Sequence, residues 1–244
     1  MKKFLVILLS IVVVVYLIFS LDFFSDLSDD NICEEMEVVV QDSLNAKFVT
    51  KQDIIDLVNR FKLNPVGKQF KDINTLQIRD SILSNRLVET AEVFSTPKGS
   101  VVINIKQRQP ILRVISNNSG SYYVDKDRRV MPVSGSFSLY VPIATGNIDE
   151  DMAKGELYDF ALFLNGNPDW DALIEQIVVN DNKEIELVPR AGDFRILLGQ
   201  FNDYRAKLDR FMKFSDKVLN VVGWNRYSVV NLKYDNQVVC TKAK

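Results

Sequence analysis

The sequence predicts an α+β protein with an N-terminal transmembrane helix, a small domain with the order strand, helix, helix, strand, strand, and a larger domain in which helices pack on a mixed or antiparallel β-sheet. An apolar run at the N-terminus predicts the first part, and the order of strand and helix periodicities predicts the other two. The composition, with 47% hydrophobic and 25% charged residues among 244, is that of a folded chain of one or two domains.

The composition excludes several classes of function. The chain contains no histidine, which removes Ser-His-Asp and Cys-His catalysis and histidine-based zinc sites. Its 30 basic and 32 acidic residues give a net charge of −2, so no overall positive field attracts nucleic acid. Cys33 and Cys240 lack Cys-x-x-Cys spacing and indicate neither a metal site nor a dithiol redox site. Whether they form a disulfide stays open.

The N-terminus has the features of a retained membrane anchor. Lys2 and Lys3 precede the apolar run 4–21, which as a helix would be about 27 Å long. A cleaved signal peptide usually has a shorter apolar region followed by a small-x-small site, which this chain lacks. The lysines before the run and the aspartates after it predict a cytoplasmic N-terminus. We therefore expect residues 1–24 to form a short tail and a transmembrane helix.

Residues 25–108 are predicted to form a spacer and the first domain. Thr50 and Asp53 are spaced as a capping box, and Asn74 is a good N-cap for a second helix. A Pro-Lys-Gly sequence after Thr96 favours a tight turn between two strands. The predicted elements are a strand at 32–40, helices at 51–61 and 74–85, and strands at 87–94 and 101–107.

Residues 109–244 are predicted to form the second domain, because Pro110 cannot donate a ladder hydrogen bond where one sheet ends. Pro142 would place the strand 139–144 at a sheet edge for the same reason. The other predicted elements are strands at 111–115, 122–124, 129–131, 177–179, 184–188 and 194–198, helices at 151–164 and 203–219, a helical turn at 169–171, and a last strand at 228–240.

Several residues have the chemistry of an active site, yet each has a stronger structural interpretation. Asp125 and Asp127 fit a solvated turn better than an acid/base pair, since Asp is common in turns. The acidic residues 149–151 suit a helix start through the helix dipole. The aromatic residues of 204–224 are spaced for a core. We therefore expect no catalytic, cofactor-binding or metal-binding residues and no cofactor.

The order of elements in the first domain is that of a POTRA domain, and the chain as a whole resembles the FtsQ/DivIB cell-division family. Three motifs carry this resemblance. The segment 105–110 is similar to the family's hydrophobic strand followed by Glu/Gln-Arg-x-Pro, and 122–125 is similar to its Tyr-x-x-Asp. The segment 230–235, Val-Asn-Leu-Lys-Tyr-Asp, is similar to Val-Asp-x-Arg-Tyr-Asp. The chain departs from the family in its tail of three residues, which is longer in many members, and in the turn 126–129, where the family usually has a Gly and this chain has Lys-Asp-Arg-Arg.

The resemblance implies a non-enzymatic divisome scaffold in the bacterial inner membrane at the division septum. It implies single-span partners of the FtsB and FtsL type, links to septal peptidoglycan synthases, and no nucleic acid. In the family the last strands bind the juxtamembrane segment of FtsB, and we extend the matching positions along what is predicted to be one strand. The predicted partner-binding residues are Lys233, Tyr234, Asp235, Asn236, Gln237, Val238 and Val239.

Two other classes of function stay open. A membrane-anchored POTRA protein could bind extended polypeptide clients in transport or outer-membrane assembly, although no barrel follows the domain here. An exported enzyme could use carboxylates alone. A last strand that is simply covered by the rest of the domain is the structural alternative to a partner site, because sheet edges are commonly protected.

Overall fold

The computed structural model describes residues 9, 11–17, 31–41, 48–133 and 140–244, and the chain divides into two compact units between Gln107 and Arg108. The predicted anchor lies largely outside the described residues, as does most of the predicted spacer. Residues 9 and 11–17 are helical and exposed. Within the described ranges, no helix combines the length and the apolar character needed to cross a bilayer.

The first unit has the predicted order strand, helix, helix, strand, strand. Its sheet order is β1, β3, β2, with β1 parallel and β2 antiparallel to β3. The elements are β1 Glu35–Gln41, α1 Lys51–Arg60, a 3-10 turn Phe70–Asp72, α2 Thr75–Leu83, β2 Val88–Ser95 and β3 Ser100–Gln107.

Local signals in the sequence begin and end these elements as predicted. The Thr50 hydroxyl accepts a hydrogen bond from the Asp53 amide at 3.1 Å, and the Asp53 carboxylate accepts one from the Thr50 amide at 2.8 Å, which completes the capping box. The Asn74 side chain caps α2 by accepting from the Gln77 amide. Gly99, at a φ of 82°, closes the β2–β3 turn with a 3.2 Å bond to the Thr96 carbonyl.

The second unit holds nine strands and five α-helices in its described part. The predicted helix 151–164 is divided in two at Gly155, whose backbone leaves the helical region at φ −99° and ψ −115°. The elements are β4 Pro110–Ser116, β5 Gly120–Asp125, β6 Val130–Pro132, β7 Ile143–Gly146, α3 Glu150–Lys154, α4 Glu156–Asn165, α5 Pro168–Leu173, β8 Ile174–Val179, β9 Ile185–Pro189, β10 Arg195–Gly199, α6 Tyr204–Phe214 followed by a π-helical turn Ser215–Leu219, α7 Asn220–Val222, β11 Tyr227–Asn231 and β12 Val239–Lys242.

These strands form one mixed sheet in the order β12, β11, β10, β9, β8, β7, β4, β5, β6. The prediction that Pro142 places its strand at an edge is wrong, because β7 lies between β4 and β8. Residue 139 is outside the described residues, and β7 begins after Pro142, so the missing N–H removes no ladder bond. The Pro142 carbonyl instead accepts from the Arg113 amide at 2.9 Å.

Six strands of this sheet run in the same direction, namely β4, β6, β7, β8, β10 and β11. Their carboxyl ends therefore meet along one edge, which we call the carboxyl-end edge. Four described loops lie there, 147–149 after β7, 180–184 after β8, 200–203 after β10 and 232–238 after β11. The core of the unit joins the sheet to α4 and α6 through buried side chains such as Ile177, Leu187, Ile196, Phe160 and Phe211.

Two of the sequence motifs are joined by a buried ion pair. Arg108 Nη1 lies 2.7 Å from Asp125 Oδ2, and the side chain of Asp125 is fully buried. The other oxygen, Oδ1, accepts hydrogen bonds from the backbone amides of Asp127 and Arg129. The predicted turn is confirmed, since the Arg128 amide bonds the Asp125 carbonyl at 2.9 Å. The expectation that this turn is solvated is wrong for Asp125, because Arg108 neutralises it within the fold.

Candidate partner-binding edge

The C-terminal segment forms a hairpin, so the prediction of one strand over 228–240 is wrong. β11 ends at Asn231, residues 232–238 form a loop, and β12 returns antiparallel with Asn231 opposite Val239. Asn236 has a φ of 59°, a left-handed conformation that Asn tolerates better than most residues. The Asp-Asn pair in the loop is the sequence signal for a turn that periodicity alone did not reveal.

The structure brings the seven predicted partner-binding residues together on this hairpin. Lys233 to Val238 lie in the loop and Val239 begins β12, so they do not share one strand as predicted. All except the half-buried Val238 are exposed. Tyr234 is 50% exposed, in contrast to Val230 and Leu232, which precede it at alternate positions and are buried. The turn rotates Tyr234 out of the strand alternation and leaves an aromatic side chain available to a partner.

Neighbouring elements hold the loop in place. Arg210 of α6 donates to the Leu232 carbonyl at 3.1 Å, and the Lys233 amide donates to the Asn231 side chain at 3.0 Å. The Lys233 ammonium pairs with Glu184 at 3.0 Å. Its aliphatic stem lies over Gly199, where an added Cβ would come within 3.0 Å of Lys233 Cγ. A fixed loop loses less conformational freedom on binding than a mobile one.

A cavity of about 390 Å³ lies beside the loop at the carboxyl-end edge. Lys233 and Asp235 line it together with Lys207 of α6, which is only 6% exposed. The Lys207 ammonium donates to the Gln200 carbonyl at 2.9 Å and to Asn202 Oδ1 at 3.1 Å. Burial lowers the pKa of Lys207 below its ordinary value, although Asp203 opposes this shift. Lys207 thus fixes the loop that follows β10.

Strand β12 forms one end of the sheet, and no described strand pairs with its outer side. The strand is four residues long, with Val239 43% exposed and Thr241 and Lys242 exposed as well. Cys240 packs against the core of the unit, and burial raises the pKa of its thiol. An unpaired edge offers backbone N–H and C=O groups to an extended segment of another chain.

The acidic residues weighed for chemistry have structural roles. Asp149 caps α3 by accepting from the Met152 amide at 2.8 Å and pairs with Lys183 at 2.8 Å. The hydrogen bond from Lys183 lowers the pKa of Asp149. In the part of the chain that the structure describes, no group of three His, Cys, Asp or Glu side chains is arranged to hold a metal ion. The arrangement at this edge is suited to binding a protein segment.

Sequence reasoning missed the residues that support the loop. Glu184 directly precedes β9, Gly199 ends β10, and Arg210 lies in α6. Only the order of the strands brings these three residues to Lys233 and its neighbour Leu232. No local sequence pattern predicts such a contact, because Lys233 and Glu184 are 49 positions apart in the chain. Gly199 alone carried a signal, as a glycine that ends a strand commonly marks a close approach.

Comparison with known families covers both units. The profile described as FtsQ/DivIB, C-terminal related matches residues 109–241, which is more than half of the chain. The chain belongs to the FtsQ/DivIB, C-terminal related family. A POTRA-like domain profile matches residues 31–106 of this FtsQ/DivIB-type chain, in agreement with the order of its first unit. No curated protein matches the chain.

Family membership indicates the general role of this chain. FtsQ/DivIB proteins are non-catalytic scaffolds of the divisome, so this FtsQ/DivIB-type chain has a role in cell division. Family membership also implies protein–protein interactions within the divisome. The POTRA-like first unit and the mixed α+β second unit agree with the fold predicted from the sequence.

Proposed function

We propose that this chain is a bitopic, non-enzymatic scaffold of the divisome that links FtsB- and FtsL-type single-span partners to septal peptidoglycan synthesis. The observation that carries the proposal is the C-terminal hairpin, where the loop with the exposed Tyr234 adjoins β12, whose outer side pairs with no described strand. The partner segment adds a strand to β12 and contacts residues 233–239. Family membership supports this proposal, since it implies protein–protein interactions within the divisome.

Anchoring in the membrane forms part of the proposal. We propose domain limits of 1–24 for the tail and anchor, 25–108 for the spacer and POTRA domain, and 109–244 for the C-terminal domain. Lys2 and Lys3 favour a cytoplasmic N-terminus, which places both folded domains in the periplasm. The exposed apolar helix at 11–17 supports an anchor, because such a surface is stable in lipid and not in water. Confinement to the membrane raises the effective concentration of similarly anchored partners.

Photo-crosslinking in the native cell tests the proposed interface. A crosslinking amino acid replaces Tyr234 in one variant and Tyr140 in a second, since both tyrosines are exposed in the same unit. We expect position 234 to capture a small single-span protein and position 140 to capture none. Depletion of the protein should also cause filamentation. Equal capture from both positions, or normal division after depletion, contradicts the proposal.

A second candidate function rests on the POTRA-like first unit alone. A membrane-anchored POTRA protein would bind extended polypeptide clients during transport or outer-membrane assembly, and the match over residues 31–106 is the observation that favours it. This function predicts that unassembled outer-membrane proteins accumulate on depletion, while division continues. The same depletion therefore separates the two candidates.

A further inference from the structure

A second concave surface lies on the carboxyl-end edge, next to the cavity beside the C-terminal hairpin, with which it shares Gln200 and Asn202. It occupies about 610 Å³ between the N-terminal part of the α3–α4 helices and the loop after β10. This volume is in the range of pockets that bind small groups. We call it the aromatic groove, and its lining includes Asp149, Met152, Glu156, Asp159, Phe201 and Tyr204.

The apolar side of the aromatic groove is rigid. Phe201 and Tyr204 both pack against the buried ring of Phe160, with ring centroids 5.3 and 5.1 Å apart. Tyr204 also meets Phe163 edge to face at 5.2 Å. Rings held in this way present their faces and edges at fixed positions, so little ordering is needed when a ligand binds.

The polar side of the groove is acidic. Three carboxylates line it against one ammonium, that of Lys183. Asp149 is paired with Lys183, and Asp159 is paired with Arg128, which lies outside the groove. Glu156 is exposed, and no ion pair to it occurs among the described residues. The groove therefore has an unused carboxylate beside an aromatic surface.

Two intramolecular contacts near the groove show that aromatic rings and a carboxylate of this kind bind an arginine side chain. Arg128 pairs with the Asp159 carboxylate and stacks on the Tyr158 ring, with Cζ 4.3 Å from the centroid. Arg205, which does not line the groove, lies over Phe163 and Tyr204 at 4.9 and 5.5 Å. Two of the chain's own arginines thus occupy aromatic faces next to the groove, and in one case a carboxylate completes the site.

We propose that the aromatic groove binds an arginine side chain from a segment of a protein partner. The guanidinium pairs with Glu156 and stacks on Tyr204 or Phe201, as Arg128 does with Asp159 and Tyr158. Arginine suits this site better than lysine, because its planar group both stacks on rings and forms two parallel bonds to a carboxylate. None of residues 233–239 lines the groove, so the FtsB-type interface and this site are tested by different variants.

Methyl NMR on the full chain in micelles tests this site directly. The chain has five methionines, of which Met152 lines the groove while Met36, Met131 and Met212 serve as internal references. The probe is N-acetyl-arginine amide, and the uncharged N-acetyl-citrulline amide is its matched control at the same ionic strength. We expect the Met152 methyl signal to shift saturably with the arginine probe and at least severalfold less with citrulline.

Two substitutions make the test specific. Glu156→Gln should weaken binding of the arginine probe about fivefold, as expected for an exposed charge pair, and Tyr204→Leu should weaken binding as well. Asp209→Asn removes a carboxylate of α6 that does not line the groove and should leave the affinity unchanged. Equal shifts with both probes, or no effect of Glu156→Gln, overturn the proposal.

A crosslinker at position 152 in the native cell tests for the protein partner. Peptide mapping should place an arginine within a few residues of the captured site, and Glu156→Gln should reduce capture. Capture of lipid or cell-wall material alone overturns a protein occupant. A normal crosslink from position 234 in the same cells shows that failure at 152 concerns the groove and leaves the proposed function intact.

Discussion

The buried carboxylate of Asp125 links several residues near the start of the second unit. Its Oδ2 accepts from the Arg108 guanidinium, and its Oδ1 accepts from the backbone amides of Asp127 and Arg129. A buried acid needs such partners, because an unpaired charge in the interior is costly. The two family-like motifs, 105–110 and 122–125, are thus parts of one contact, although the sequence presents them separately.

Asp125→Asn is expected to destabilise the second unit by about 3 kcal/mol, because it leaves Arg108 without its buried counter-charge. Both tryptophans, Trp170 and Trp224, belong to this unit, so tryptophan fluorescence during urea unfolding reports on it. Asp127→Asn is the matched control, since Asp127 is exposed in the same turn. Equal stability of the two variants would show that the ion pair contributes little.

The raised pKa of Tyr122 predicts that the folded chain loses stability at alkaline pH. Burial first, and then the charges of Glu150 and Asp149, raise the pKa of Tyr122 from 10.0 to about 12. The unfolded chain releases this proton near pH 10 while the folded chain keeps it, so stability falls as pH rises from 10 through 12. The loss should be on the order of 1 kcal/mol, since part of the effect is screened.

Tyr122→Phe removes this pH dependence, which the difference in urea midpoint between wild type and variant measures from pH 8 to 12. At pH 7 the change should be nearly neutral, because the Tyr122 hydroxyl has no hydrogen-bond partner among the described residues. Tyr140→Phe, at an exposed ring, is the control and should follow the wild-type curve. An alkaline loss of the same size in Tyr122→Phe contradicts the assignment.

At the scale of elements, the position of β7 depends on a close approach of two backbones. Gly146 ends β7 with a φ of 111°, and a Cβ there would lie 2.0 Å from the Val179 carbonyl oxygen of β8. A backbone atom cannot move aside as a flexible side chain can, so this pairing requires glycine. This close approach also fixes where the loop 147–149 begins, and Asp149 at the end of that loop caps α3.

Gly146→Ala is therefore expected to destabilise the second unit by about 3 kcal/mol or more, through the clash with β8 and the backbone conformation together. Gly120→Ala separates these causes, since Gly120 also has a positive φ of 74° but meets no atom within 4 Å. We expect Gly120→Ala to cost about 1 kcal/mol. Urea unfolding followed by tryptophan fluorescence measures both, and equal costs would exclude the clash.

At the scale of the whole molecule, the proposed scaffold depends on topology across the membrane. Lys2 and Lys3 precede the apolar run 4–21, and the described strands of both compact units follow that run. In a membrane-confined scaffold even weak contacts at the hairpin or the aromatic groove suffice, since anchored partners meet at high effective concentration.

Thiol labelling tests this topology. In a chain carrying Cys33→Ser and Cys240→Ser, Asp127→Cys introduces an exposed thiol in the second unit and Lys2→Cys introduces one in the tail. An impermeant maleimide should label position 127 in intact spheroplasts and position 2 only after permeabilisation. Labelling of position 2 in intact spheroplasts, without labelling of 127, would reverse the proposed orientation.

The elements that local signals specify were predictable. Thr50 with Asp53, Asn74, and the turn at Gly99 act within a few residues, so their hydrogen bonds follow from the sequence. The helix break at Gly155 and the loop at 232–238 were not predicted, because periodicity continued across both. In each case a glycine or an Asp-Asn pair was the only local sign of a change in backbone direction.

The sequence by itself determined the α+β class, the order of elements in the first unit and the family resemblance, because these depend on periodicity, capping and short motifs. Only the tertiary structure placed β7 inside the sheet, paired Arg108 with Asp125, and gathered Glu184, Arg210 and Lys233 around the hairpin loop. Such contacts join residues far apart in the chain. Their partners are selected by strand order and direction, which no local signal specifies.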